Sequence, residues 1–273
     1  MPTLILSPTY NYESKTLRKA AQTLGWSTFR FQGDSLPSSY DEEDTVDHAI
    51  YCTVPNAFVV ANQLSSFLLG CSCDWLPELP DEFLRRKIIL RKLRDAKSDT
   101  ERRFVKPALG KSFVAGVTTG DRLSSVTPHL PANLLVHVSE VVQWEIEYRC
   151  FIADQSVVTM SPYRRGEAFF SDYKRPLNAL RGEQEEALEF ASSVIQTVPC
   201  PRAFVLDVGK IKGRGWAVVE PNECWGSGIY GCEPLKVLDV LLASTVLRTA
   251  ATEDDLFWDY SKHYYRACPN MIS

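Results

Sequence analysis

The chain has 273 residues, 45% of them hydrophobic and 23% charged, which suits one compact unit of two or three lobes with a sizeable core. A net charge of -4 gives no electrostatic reason to expect nucleic acid as a partner, although it leaves room for a local basic pocket. The eight cysteines form no CxxC pair and mostly sit in apolar runs such as YRCFIA and LLGCSCDW, which argues against a zinc or disulfide framework. MPTLILSPTYN has no basic region and its apolar run is broken by Pro8, while AFVVANQLSSFLLG is too short to span a bilayer. A cytoplasmic protein without membrane contact is the expectation.

TLIL at 3–6 reads as a buried strand, 13–24 as a helix with Leu17, Ala20, Ala21 and Leu24 on one face, and WSTFRF at 26–31 as a second strand. That order predicts a parallel pair with a right-handed crossover. The acidic stretch QGDSLPSSYDEEDT is expected as an exposed loop, followed by a helix over 55–69 with Pro55 near its start. RRKIILRKLRDA is expected as a basic helix with Ile88, Ile89 and Leu93 packed inward. A lobe boundary placed there divides the chain into 1–85, 86–138 and 139–273. RRFVK at 102–106 and FVAGV at 113–117 predict two strands around the loop PALGKS. LLVHVSEVV at 134–142 follows, then EYRCFIADQSVVTMSPY at 147–163, split by a turn at Asp154 and Gln155. The acidic first turn of 183–197 predicts a helix, strands follow over 202–222, and an amphipathic helix over about 235–249 turns Leu235, Leu238, Leu241, Leu242 and Val246 inward.

VVEPNECW carries the most chemical information. In an extended strand Glu220 and Asn222 face the same side and offer a carboxylate and an amide oxygen, a claw for a hard cation. Asp207, thirteen residues earlier, ends the apolar run AFVL, and KIKGRG between them reads as a hairpin turn that brings the two strands together. Taken alone, Glu-x-Asn is more often a solvated carboxylate beside a turn, and the Asp207 pairing shifts that balance. KPALGKS fails as a Walker loop, because Val105 stands where a glycine is needed, but it leaves Lys106, Lys111 and Ser112 around a tight turn that can cradle phosphate oxygens. A hairpin turn with two solvated lysines is an equal reading of that segment alone. Glu140 and Glu147 flank a short crossing and suit an adenine amino group and a ribose diol, and Arg149, on the same strand face as Glu147, can reach phosphate as a fork.

In order, these pieces resemble the ATP-grasp superfamily of carboxylate-amine ligases over roughly residues 102–235. FVKPxxxKSF together with EYR is most similar to its small members, some of them phage-associated, thought to ligate amino acids or peptides. The resemblance implies an α/β fold of α+β lobes, an ATP-grasp unit preceded by a Rossmann-like lobe. It implies ATP as cofactor over Lys106, Lys111 and Ser112, with adenine near the backbone of Val141 and Val142 and with Glu140, Glu147 and Arg149 around the nucleotide. Magnesium, for which Mn2+ can substitute, is implied on Asp207, Glu220 and Asn222. Two departures stand out. Relatives carry another ATP-contacting lysine on a strand before the phosphate loop, where this chain has the basic segment, so Lys111 is the expected substitute. An arginine commonly meets the acyl phosphate two residues before the first metal Asp, where Val205 stands, leaving Arg149 or Lys210 for the task.

The implied reaction is attack of a substrate carboxylate on the γ-phosphate, then capture of the acyl phosphate by an amine, with Gly228 in CWGSGIYG offering a backbone N–H to the oxyanion. Partners are then small molecules or peptides bearing a carboxylate and an amine; a homodimer is compatible with the chain. The rivals are a phosphotransferase of the same fold and a nucleotide-binding protein without turnover. Substrate choice is expected from the loops at 32–47 and 162–182, with YRRGEAFFSDYKR either a lid over an acidic substrate or an exposed loop.

Overall fold

The computed structural model describes residues 1–31, 36, 47–170 and 177–269. The loop expected over 32–45, apart from Leu36, and part of the lid segment, 171–176, lie outside them. β1 (Thr3–Leu6) is buried at every position and pairs in parallel with β2 (Ser27–Arg30) and β3 (His48–Tyr51), in the order β2-β1-β3. α1 (Tyr12–Thr23) links the first two strands and begins with a reciprocal cap between Asn11 and Ser14, buried through Leu17, Ala20 and Ala21 as its periodicity predicts.

The expected helix over 55–69 divides. α2 (Val54–Gln63) ends early, Ser65 takes a left-handed φ of 50°, and the apolar run beyond it becomes β4 (Ser66–Leu68). Its partner is β14 (Thr245–Leu247), antiparallel. The last long helix is therefore shorter than the pattern suggests: α7 (Pro234–Ser244) gives way to β14, because Val246 pairs across from buried Phe67. This pairing carries the end of the chain back to the first lobe, across the division expected at 139. The short helices α8 (Glu253–Phe257) and α9 (Tyr260–Ala267) complete that return.

A larger correction concerns the basic segment. After α3 (Asp81–Leu84) the chain turns at left-handed Arg85, and Ile88–Lys92 forms strand β5, with only Leu93–Ala96 helical as α4. Ile88 is buried and Ile89 half-exposed, an alternation that a strand satisfies and an inward helix face does not. β5 pairs with β8 (Leu135–Ser139), which pairs with β6 (Arg103–Pro107), which pairs with β7 (Gly116–Thr118), all antiparallel. α5 (Gly120–Val126) follows β7. Residues 113–115, expected in a strand, belong instead to the loop that lines the cleft described below.

The third sheet runs β11-β10-β9-β12-β13, built from β9 (Trp144–Ala153), β10 (Ser156–Arg165), β11 (Ala168–Phe169), β12 (Ala203–Ile211) and β13 (Gly215–Asn222). The turn at Asp154 and Gln155 takes left-handed φ values of 46° and 56°. Alternation sorts the sheet's faces. Phe204, Leu206 and Val208 pack with Ala187, Ala191 and Val194 of α6 (Glu183–Thr197), whereas Ala203 and Val205 join the core that includes Val237, Leu238 and Leu241 of α7. Asp207 continues the second set. No helix among the described residues is long and apolar enough to cross a membrane.

Candidate active site

The pairing register places Asp207 directly across from Glu220 on one side and Arg149 on the other. Asn222 Nδ2 bridges the two carboxylates, donating to Asp207 Oδ2 at 3.0 Å and to Glu220 Oε1 at 3.3 Å. The three oxygen-bearing side chains expected to meet do meet. Each carboxylate also has its own cation. Arg149 forks onto Asp207 through Nε at 2.9 Å and Nη2 at 2.7 Å, and Lys106 of β6 reaches across from the other sheet to pair with Glu220.

These partners set the charges. Burial alone would raise the Glu220 pKa, but the Lys106 ammonium, its hydrogen bond and the Asn222 amide outweigh burial and bring it down to about 2. For Asp207, with no exposed surface, burial wins and the pKa moves up even though Arg149 pulls the other way. Glu147 also moves up, by burial, against hydrogen bonding from Tyr163 and the nearby Arg164 charge.

A cleft of about 850 Å³ opens over this cluster, between the four-stranded and five-stranded sheets. Of the residues singled out from sequence, Lys106, Lys111, Ser112, Glu140, Val141, Val142, Glu147, Arg149, Glu220 and Asn222 line it, with Asp207 buried behind. The loop after Lys106 turns at Gly110, where φ is 68° and an added Cβ would lie 2.9 Å from the Tyr264 ring of α9. Ser112 Oγ is buried there without a hydrogen-bond partner.

Three expectations change. Lys210 sits three residues beyond Asp207, hence on the α6 face of β12, where it pairs with Glu186 at 3.1 Å and lies over Trp216; it does not reach the cleft. Of Lys210 and Arg149, only Arg149 lines the cleft. Glu140 commits both carboxylate oxygens to Arg214, at 2.5 and 3.0 Å, which lowers its pKa and leaves it poorly placed to receive an adenine amino group. In the glycine loop, Ile229 N–H donates to Glu13 Oε1 and Gly231 N–H to Ser161 Oγ, so those two donors are taken, while the Gly228 carbonyl accepts from Arg149 Nη1 at 3.0 Å.

Sequence reasoning also missed residues. Arg86, at the entry to β5, lines the cleft, donates to the carbonyls of Val218 and Val219 at 2.6 and 2.8 Å, and is driven by burial down to about 10. It occupies the stretch where an earlier cation was sought, and reading β5 as a helix hid it. His137 lies opposite Lys106 in register; its Nε2 contacts the Cys73 carbonyl at 2.7 Å, and burial lowers its pKa to about 4, so it is neutral near pH 7. Tyr163 and Tyr230 stack at 5.0 Å, with the Arg149 guanidinium 4.8 Å from the Tyr230 ring, forming an aromatic wall on the cleft.

The fold is similar to that of several solved structures. D-cycloserine synthetase aligns with a TM-score of 0.55 at 12% identity, covering 88% of this chain and 98% of that one. A RimK domain protein ATP-grasp from Sphaerobacter thermophilus DSM 20745 aligns at 0.51 and 12%, covering 89% and 97%. D-alanine--D-alanine ligase from Bacillus anthracis aligns at 0.51 and 11%, with the same coverage of 89% and 97%. No curated protein matches the sequence. Residues 83–240, more than half of the 273, match a family model described as an ATP-grasp domain, family 2 of its clade, and the chain belongs to that ATP-grasp family.

Proposed function

We propose that this protein is an ATP- and magnesium-dependent ligase that activates a substrate carboxylate as an acyl phosphate and joins it to an amine of an amino acid or peptide. The observation that carries the reading is the convergence of Asp207, Glu220 and Asn222 beneath a cleft whose other wall supplies Lys106, Lys111 and Ser112. Among the described residues no three His, Cys, Asp or Glu side chains form a metal cluster, and here the third ligand is the Asn222 amide. The set is all oxygen, which suits a hard divalent cation once the Lys106 ammonium leaves Glu220 and the amide turns its oxygen inward.

ATP with that cation supplies the transferable phosphoryl group and the neutralisation of its charge. Lys106 exchanges its carboxylate partner for phosphate oxygens, and Lys111, Ser112 Oγ and the backbone of the loop complete the cradle. In this reading the Val141 and Val142 backbone, which lines the cleft, runs along the base, and Glu147 receives the ribose hydroxyls in exchange for its hydrogen bonds from Tyr163 and Arg164. Arg149 uses three of its N–H groups on Asp207 and Gly228, so the remaining donors of its guanidinium are available to the substrate carboxylate and the acyl phosphate. The reading is tested by incubating the protein with ATP, magnesium and an amino-acid pool. ADP release with formation of an amide is expected, together with loss of turnover in Glu220→Gln. A phosphorylated alcohol in place of an amide would make the protein a phosphotransferase, and full turnover in the variant would remove the metal assignment.

A further inference from the structure

We propose that Ser7 Oγ and Arg30 Nη2, beside the start of α1, form an anion subsite that holds a second, unreacting carboxylate of the substrate. The subsite names the substrate class for the ligase reading, and the link to catalysis rests on that reading.

β1 is the central strand of a parallel sheet, and the chain leaves it towards β2 and returns to pair β3 on its other side. Ligands of open parallel sheets sit beyond the carboxyl ends of the strands, where the strand order reverses. Ser7 directly follows β1, and its N–H donates to the Tyr51 carbonyl at the end of β3. Arg30 ends β2 and folds over the same point, Nη1 donating to the carbonyls of Ser7 at 2.5 Å and Thr9 at 2.9 Å, with the Tyr10 ring 3.8 Å from its Cζ. Ser7 is only 8% exposed, yet its Oγ has no hydrogen-bond partner, and neither does the buried Nη2 of Arg30. Among the described residues Arg30 forms no ion pair. Two buried donors are left open on residues joined through Arg30 Nη1 and the Ser7 carbonyl, near the start of a 12-residue helix, and they ask for an anion with two oxygens.

A carboxylate fits better than a phosphate. The Glu13 carboxylate in the first turn of α1 already adds negative charge there, which a singly charged carboxylate tolerates better than a phosphate dianion. Glu13 also ties the subsite to the reaction centre, since Oε1 accepts from Ile229 N–H, and the neighbouring Gly228 carbonyl accepts from Arg149. A reactant lying along that loop carries its reacting carboxylate to Arg149 and a second carboxylate to Arg30, as a dicarboxylic amino acid or an acidic peptide terminus does.

Thermal-shift titration of the full chain with succinate, at fixed ionic strength and without nucleotide, tests the subsite, with ATP binding measured in parallel. Saturable stabilisation is expected in the wild type. The midpoint should rise about tenfold in Arg30→Gln and about threefold in Ser7→Ala, with ATP binding unchanged. Should Arg30→Gln fail to fold, Arg30→Lys and Ser7→Ala decide. Absence of a saturable succinate effect, equal midpoints in the folded variants, or inorganic phosphate saturating below succinate would each overturn the proposal. If succinate behaves as expected but ATP does not bind the wild type, the ligase reading falls and the subsite stands.

Discussion

The two acid–base pairs at the centre of the cleft differ in what they join. Arg149 and Asp207 lie on neighbouring strands of one sheet, with side-chain exposures of 8% and 0%, whereas Lys106 and Glu220 come from two different sheets and remain 17% and 28% exposed. A pair within one sheet, sealed from water, is part of the packing. A pair across the cleft can part when a ligand enters, since water and incoming charges replace what is lost. On the ligase reading Asp207 therefore meets the cation while still held by Arg149, and Glu220 is the carboxylate that changes partners.

The comparison can be broken by removing one cation from each pair. Arg149→Met leaves Asp207 buried without a counter-charge and is expected to destabilise the fold by about 3–5 kcal/mol, read from urea denaturation. Lys106→Met should cost less, about 2 kcal/mol, while removing nucleotide binding, because the partly exposed Glu220 can turn to water. Equal losses of stability would mean that both pairs are structural. Glu220→Gln sharpens the contrast from the other side, with turnover falling by about 10²- to 10³-fold and denaturation little changed.

Acid separates the pairs as well. The Glu220 pKa is depressed in the folded protein to about 2 from an ordinary 4.5, so its contribution is complete above the unfolded value and is lost as pH falls between them. Asp207 and Glu147 move upward and act oppositely, favouring the folded state as they take up protons. Stability measured from pH 5 to pH 2 is therefore expected to fall less steeply in Lys106→Met than in the wild type; parallel curves would show that Lys106 does not set the Glu220 charge. The smallest effect is expected for Lys210→Ala, on the far face of β12, with stability within about 0.5 kcal/mol and unchanged turnover.

Much of this site could be read before the fold was known because strands alternate. Glu220 and Asn222 had to share a side, as did Glu147 and Arg149, and the hairpin turn between Asp207 and Glu220 brought two strands into register. The same rule, applied to Lys210, would have placed it on the wrong face. β5 escapes such a reading because its Leu90, Arg91 and Lys92 also fit a helix, and only pairing with β8 stabilises the extended form of Ile88–Lys92.

Local chemistry in the chain thus determined which residues carry oxygen, positive charge and tight turns, and the order in which they occur, because side-chain type and strand period are properties of short segments. Tertiary packing decided the partners. It gave Asp207 to Arg149 and Glu140 to Arg214, brought Arg86 and His137 to the cleft, and returned β14 to β4. Those choices depend on which strands lie side by side and how much water each charge keeps, quantities set only when distant segments are packed together.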